Sequence, residues 1–438
     1  MTPPRRPSPV RVRAVEILRQ ALRGAEVPPL LAPREADLSA PDRDLLREIV
    51  FGVLRHRGAL DAELASVAHA PLTRLGNLRE ILEVALYQVR RLDRVPAYAA
   101  VDEAVRHARA SGGERAGKFV NAVLRKLASR PAPPAGGGTS AAKLARESSH
   151  PEFLVRRWIE RFGLEATCRI LDADNTPSTT DLLVNPRRTD LDGLRRELAA
   201  EGVATEPSDL SPLALTVVAG NPLGSPLLAA GHFTVQDVGA QTLALLLPPG
   251  DLLVDLAAAP GGKTFAALAL GRARRAISLD RSFGRLLRFA DNARRLGMVE
   301  AFAAAGDFLS PPLPDSRFDR VILDAPCSGT GTLRKNPEIR YRVGAADIDR
   351  IARAQVEALS AAAGLLAPGG YLLYSTCSLE EEENERVVEA VLAKRSGLTL
   401  APIEAPEALR PFVDGSRLRL FPDARIDGFT AHLLRRRS

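Results

Sequence analysis

The stretch Leu252-Leu253-Val254-Asp255-Leu256-Ala257-Ala258-Ala259-Pro260-Gly261-Gly262-Lys263-Thr264 decides the fold. An apolar run closed by an acid, a turn holding Pro and paired glycines, and the helical pattern of FAALAL (265–270) read as strand, tight turn, helix. The same rhythm continues outward through RAISLD (275–280), RLLRFADNARRLG (285–297), VEAFAA (299–304), RVILDAP (320–326), a long helix around 346–366 and YLLYSTC (371–377). Strands alternating with helices specify a doubly wound, Rossmann-like parallel sheet covered on both faces. Ligands of such sheets sit outside the carboxyl ends of the strands.

The turn itself points to a cofactor, because paired glycines let the backbone come close to a ligand at a helix N-terminus. A P-loop would need G-x-x-x-x-G-K-[ST]; Ala257 stands where its leading glycine belongs, and G-x-G-x-x-G is absent as well. A bland tight turn stays open, but three acids weigh against it. Asp280 closes the second strand, where a carboxylate accepts hydrogen bonds from ribose hydroxyls. Asp307 closes the third strand region, within reach of an adenine amine. With Asp255 at the end of the first strand, these acids indicate an adenosine-containing ligand.

Cys327 follows the fourth strand and Cys377 the fifth, which brings both to the ligand edge. A cysteine there, near a helix beginning at Ser378-Leu379-Glu380-Glu381, could act as thiolate. The run Glu380 to Glu383 opposes that, although its plainer reading is an S-x-x-E capping box suited to the helix dipole. Cys168, in EATCRIL, reads as a small core residue. The six histidines (56, 69, 107, 150, 232, 432) show no metal-ligand spacing.

Up to residue 130 the pattern is helical, in VRAVEILRQAL, RDLLREIVFGVLRHR, LREILEVALYQVRRL and KFVNAVLRKLA. RPAPPAGGGTSAA then reads as a linker over 131–142, and mixed helix and strand signals make 143–233 a small α/β adaptor before the catalytic domain at 234–438. Hydrophobic residues make up 45% of the 438 and charged residues 26%, ordinary globular usage. No apolar stretch approaches the ~20 residues of a membrane span. Residues 1 to 13 lack the apolar core of a signal peptide, and three cysteines without C-x-x-C imply reduced, cytoplasmic thiols. Net charge is +7, and residues 1–130 hold 23 Lys+Arg against 15 Asp+Glu while the remainder is nearly balanced. A polyanionic partner for the first third follows.

The strings LAAAPGGKT (256–264), DAPCSGTGT (324–332), RKNPEIR (334–340) and YSTCSLEEEENE (374–385) resemble the signatures of RNA (cytosine-5-)-methyltransferases of the Sun/NOL/NOP family. SHP (149–151), FTVQDVGAQ (233–241) and DGFTAHLLRR (427–436) extend the likeness nearly chain-wide, and residues 1–130 resemble a NusB-like RNA-binding fold. Ala257 departs from the cysteine the family often carries there. The resemblance implies an all-α NusB-like bundle, an α/β adaptor and a class I methyltransferase domain that binds S-adenosylmethionine. Carried over by motif, Cys377 is the nucleophile that adds to C6 of cytosine, Cys327 assists release of the covalent adduct, and Asp324 hydrogen-bonds the base. Cofactor contacts fall on Ala257, Ala258, Ala259, Pro260, Gly261, Gly262, Lys263, Asp280, Asp307 and Asp324.

The expected substrate is ribosomal RNA of the small subunit, naked or in an assembly particle, met by a monomer without a membrane partner. Arg334, Lys335, Arg340 and Arg342 are expected to hold phosphates flanking a looped or flipped cytidine. A non-enzymatic RNA-binding antitermination factor would explain the basic first third but leave the two cysteines idle. A P-loop nucleotidase would explain Gly262-Lys263-Thr264 but not Ala257.

Overall fold

The computed structural model describes residues 7–68, 71–131 and 139–438; most of the expected linker lies outside them. Two compact units emerge, Met1–Thr176 with Asn336–Arg342, and Pro177–Lys335 with Val343–Ser438.

The first unit is all helical: α1 (Pro9–Ala21), α2 (Val27–Glu35), α3 (Ala40–Ala65), α4 (Leu78–Arg91), α5 (Ala97–Ala128), α6 (Ala141–Ser148), α7 (Glu152–Phe162) and α8 (Leu164–Asp174). Ser39 caps α3 by accepting from the Asp42 amide, and apolar residues at three- and four-residue spacing close the core, with Ile17, Leu18, Leu46, Ile49, Leu54 and Leu86 buried. Gly113 at φ +74° kinks α5. Helices α6–α8 group with this unit, and Trp158 of α7 is buried.

The second unit carries two sheets. In the smaller, β1 (Thr180–Val184), α9 (Leu191–Ala200), β2 (Ala204–Pro207), β3 (Ala214–Ala219), α10 (Pro226–Ala229) and β4 (Phe233–Val235) give an antiparallel sheet of order β2-β3-β1-β4. Leu182, Val184, Leu194, Leu198, Leu215 and Phe233 form its core. The larger follows α11 (Val238–Leu245) and comprises β5 (Gly250–Asp255), α12 (Gly262–Ala269), β6 (Ala273–Asp280), α13 (Phe283–Leu296), β7 (Ala301–Ala305), β8 (Phe318–Asp324), α14 (Ala345–Leu365), β9 (Leu366–Thr376), α15 (Glu385–Leu392), β10 (Leu398–Leu400), β11 (Val413–Asp414), β12 (Arg417–Leu420) and β13 (Phe429–Arg436). Its order is β11-β12-β13-β9-β8-β5-β6-β7, with β10 beside β13. The five strands from β9 to β7 are parallel, as expected. Strand β13 instead runs antiparallel to β9, so the sheet is mixed; the β11–β12 hairpin and β13 return over short connections that only antiparallel pairing allows.

This order places the site. The chain leaves β5 for β6 and β7 on one side, then returns to β8 and β9 on the other. The switch point lies between β5 and β8, whose last residues are Asp255 and Asp324.

Candidate active site

Burial on both faces makes β5 apolar, and Asp255 at its end is 1% exposed. Its Oδ2 accepts from the Thr264 hydroxyl at 2.8 Å, and Thr264 in turn bonds Ser278 of β6 at 2.9 Å. Burial pushes the Asp255 carboxyl up to about 6, against the Thr264 bond and the Lys263 cation, which favour its charged form. This knot of three buried side chains ties the turn to both strands. Within the turn, Gly261 takes φ +115°, and a Cβ there would stand 2.0 Å from the Phe265 ring. Only glycine fits at this position, just before α12.

Asp280, 6% exposed at the end of β6, accepts from the Ser282 amide at 2.8 Å and pairs with Arg285 at 3.2 Å. Arg285 also donates to the Ala259 carbonyl, so this one guanidinium links the acid to the turn. Asp307 lies just beyond β7, half-buried, its Oδ1 accepting from the Leu309 amide at 2.9 Å. Gln236, preceding α11, has both side-chain polar atoms buried without a hydrogen bond, beside Gly262.

Strands β8 and β9 pair in parallel with Asp324 opposite Ser375, which sends their following loops out side by side. Ser375 donates to Asp324 Oδ1 at 2.9 Å, and Lys263 Nζ stands 2.5 Å from its Oδ2. Burial alone would lower the Lys263 ammonium; contact with Asp324, helped by Cys377 and Asp255, holds it above its ordinary value instead. In the adjoining loops the Sγ atoms of Cys327 and Cys377 are 3.2 Å apart. The bond to Cys377, together with burial, pushes the Cys327 thiol well up. Either sulfur can donate in this contact.

The structure thus brings together the turn, Asp280, Asp324, Lys263, Cys327 and Cys377, with Asp307 at the next strand end. A glycine turn at a helix start, acceptors at successive strand ends and the unpartnered Asp255 Oδ1 and Gln236 amide suit a ligand rich in hydroxyls and amines, as S-adenosylmethionine is.

Three expectations are corrected. Arg334 is fully buried, donating to the Asp423 and Arg425 carbonyls at 3.2 Å and facing Asp427 at 3.5 Å; Lys335 binds Asp237 and Asp427. Arg340, 4% exposed in the helical unit, donates to the Asp174 carbonyl and Asn175 Oδ1, both at 2.8 Å. Neither arginine reaches a phosphate. Second, no capping box forms: Glu381–Glu383 is a short 3-10 turn, α15 starts only at Glu385, and the Ser378 hydroxyl bonds Glu383. The cation beside Cys377 is then Lys263 rather than a helix terminus. Third, Cys168 is half-buried on α8 rather than a core residue.

Residues 242–435 match the family described as 16S rRNA methyltransferase RsmB/F, residues 8–129 the NusB family, and residues 150–223 the ferredoxin-like domain of RsmF/B-like methyltransferases. The probable ribosomal RNA small subunit methyltransferase B of Bacillus subtilis is 33% identical over 88% of this chain and 88% of its own. The chain belongs to the RsmB/F family. The ribosomal RNA small subunit methyltransferase B of Pasteurella multocida is 34% identical over 90% of this chain and 89% of its own. Among solved structures, that of PH0851 superposes with a TM-score of 0.79, 26% identity and 98% coverage of both chains. A methyltransferase homolog protein of Pyrococcus horikoshii gives 0.57 and 26% over 68% of this chain and 99% of its own. RsmB/F membership makes this chain an S-adenosylmethionine-dependent rRNA methyltransferase. Among the described residues no helix is long and apolar enough to cross a membrane.

Proposed function

We propose that this methyltransferase modifies C5 of a cytidine in small-subunit ribosomal RNA through a covalent bond between Cys377 and C6 of the base. The observation that carries this reading is the 3.2 Å approach of Cys327 and Cys377 beside the Lys263–Asp324 pair. C5 of cytosine is a weak nucleophile. Addition of the Cys377 thiolate to C6 breaks the C5=C6 double bond and moves its electron pair toward C5. Asp324 accepts from the exocyclic amine while the Lys263 ammonium offsets the charge that develops on the ring.

S-adenosylmethionine, when bound, supplies an electrophilic methyl group on a sulfonium. Its adenosine is assigned to Asp280, Asp307 and the backbone of 257–262, which leaves Asp324 and Lys263 facing both cofactor and base. After methylation the C5 proton passes to solvent water, the C5=C6 bond re-forms and the C6–sulfur bond breaks, returning its electron pair to Cys377. Cys327 hydrogen-bonds the departing Cys377 sulfur as it regains charge. The enzyme acts in the cytoplasm, where its RNA is made, on a cytidine looped or flipped out of pairing.

Ribosomal RNA carrying tritium at cytidine C5 tests the target atom. Release of tritium in step with methyl incorporation is expected; methyl incorporation without release would overturn C5 as the site.

A further inference from the structure

Beneath the two cysteines lies one buried carboxylate that the chemistry above does not use. Glu383 is 0% exposed. Its Oε1 accepts from the Ser328 amide at 2.8 Å and from Gln355 Nε2 at 3.3 Å. Its Oε2 accepts from the Ser378 hydroxyl at 2.5 Å and also from the Ser328 hydroxyl. Ser328 directly follows Cys327 and Ser378 directly follows Cys377. The two hydroxyls are themselves 3.2 Å apart, and Gln355 extends the grip by donating to the Pro326 carbonyl at 2.9 Å.

We propose that Glu383 is the positioning residue that sets the spacing of Cys327 and Cys377, clamping the residue after each cysteine onto one carboxylate. The inference rests on the two-cysteine reading for its catalytic consequence, though not for its geometry. Within this run of glutamates, Glu383 accepts from the loops of both cysteines. Burial pushes its carboxyl up, and the bonds from Ser328 and Ser378, with that from Gln355, work against this shift. A carboxylate can serve that many donors; a glutamine keeps one oxygen and turns its NH₂ toward the rest.

The clamp is tested on the full-length protein with Glu383→Ala and Glu383→Gln. One readout needs neither RNA nor turnover: the rate at which the two thiols give two electrons and two protons to diamide and join as a disulfide. The second is the partition between denaturant-resistant protein–RNA adduct and methylated product. Glu383→Ala is expected to slow disulfide formation about tenfold or more, the factor that follows from losing one hydrogen bond to a charged group, and to raise the share of adduct. Glu383→Gln should fall between. S-adenosylmethionine affinity by calorimetry should stay at the wild-type value in both, which a general loss of folding would not allow.

A folded Glu383→Ala protein with wild-type disulfide rate would overturn the proposal. If that variant fails to fold, Ser328→Ala removes part of the same clamp and should give the same two changes in smaller measure; unchanged values there would equally overturn it. Should Cys327→Ala give no adduct of its own, the release role of Cys327 falls, while the disulfide rate still decides whether Glu383 sets the spacing.

Discussion

The Sγ of Cys377 lies 3.2 Å from that of Cys327, within hydrogen-bonding distance. Burial and this bond push the Cys327 thiol well up, and the motifs assign the two cysteines different steps. Their roles should therefore separate on mutation. Cys377→Ala is expected to abolish methyl transfer while leaving S-adenosylmethionine affinity unchanged by calorimetry. Cys327→Ala should attack and methylate the base, then stall as an adduct that survives denaturing electrophoresis. An adduct in the double mutant would sink this division of labour.

Asp280 offers the acceptor assigned to the cofactor ribose. Asp280→Asn retains an oxygen for the Ser282 amide but loses the charge. It should weaken S-adenosylmethionine binding by about 1.5–3 kcal/mol, the loss expected when a charge-assisted hydrogen bond goes. Titration calorimetry reads the effect directly. An unchanged dissociation constant would move the ribose elsewhere.

Asp255, Asp280, Asp324, Cys327 and Cys377 were legible because two local signals coincide at each: a buried-strand run of apolar residues and a functional group one to three residues beyond it. Parallel strands then carry these groups to one edge without further information. The arginines were not legible. Arg334 and Arg340 sit in a basic stretch that looks solvated, and nothing nearby in sequence shows that Asp427 and Asp237, or the Asp174 carbonyl, meet them after folding. Glu383 was hidden for a related reason. Four consecutive glutamates look equivalent, yet Glu380 and Glu383 are buried while Glu381 and Glu382 are not, and only the folded turn at 381–383 brings Glu383 to both cysteine loops.

Gly261 should tolerate no side chain. At φ +115° and with the Phe265 ring where a Cβ would go, Gly261→Ala combines backbone strain of about 1–3 kcal/mol with a steric clash. Chemical denaturation should show that loss. Cofactor binding should fall with it, because the turn is displaced. Wild-type stability in this variant would mean that the turn can relax and that its shape does not depend on glycine.

The Asp255 carboxyl should leave a signature in the pH dependence of stability. Its value is about 6 in the folded protein and near 3.9 in an unfolded chain. The native state thus binds the extra proton between those values, and stability falls as pH rises from about 4 through about 6. This effect should be flat above that window and absent in Asp255→Asn. Urea unfolding of both proteins across the window measures the difference; parallel curves would show that Asp255 is ionised throughout.

Two groups stand out in the basic excess of the first 130 residues. Arg13, Arg47, Arg57 and Arg90 pair with Asp37, Glu35, Glu83 and Glu63 at 2.7, 2.7, 3.0 and 2.7 Å. Those four hold the bundle together locally and are poorly placed to bind RNA. Arg115, Lys118, Arg125 and Lys126 differ: all are exposed on the second half of α5, none has an ion pair among the described residues, and their spacing puts them along one side of the helix. A phosphate backbone laid on that side would release counterions, contributing roughly 0.7–0.9 to the slope of log K against log[salt] for each contact. Replacing the four with glutamine should leave unfolding unchanged, since exposed charges without partners contribute little to stability. RNA affinity should drop and the slope should become shallower by up to about three. Filter binding across a salt series, with wild type and variant side by side, measures both; identical slopes would remove this face of α5 from the RNA contact and leave the bundle's excess charge to some other surface.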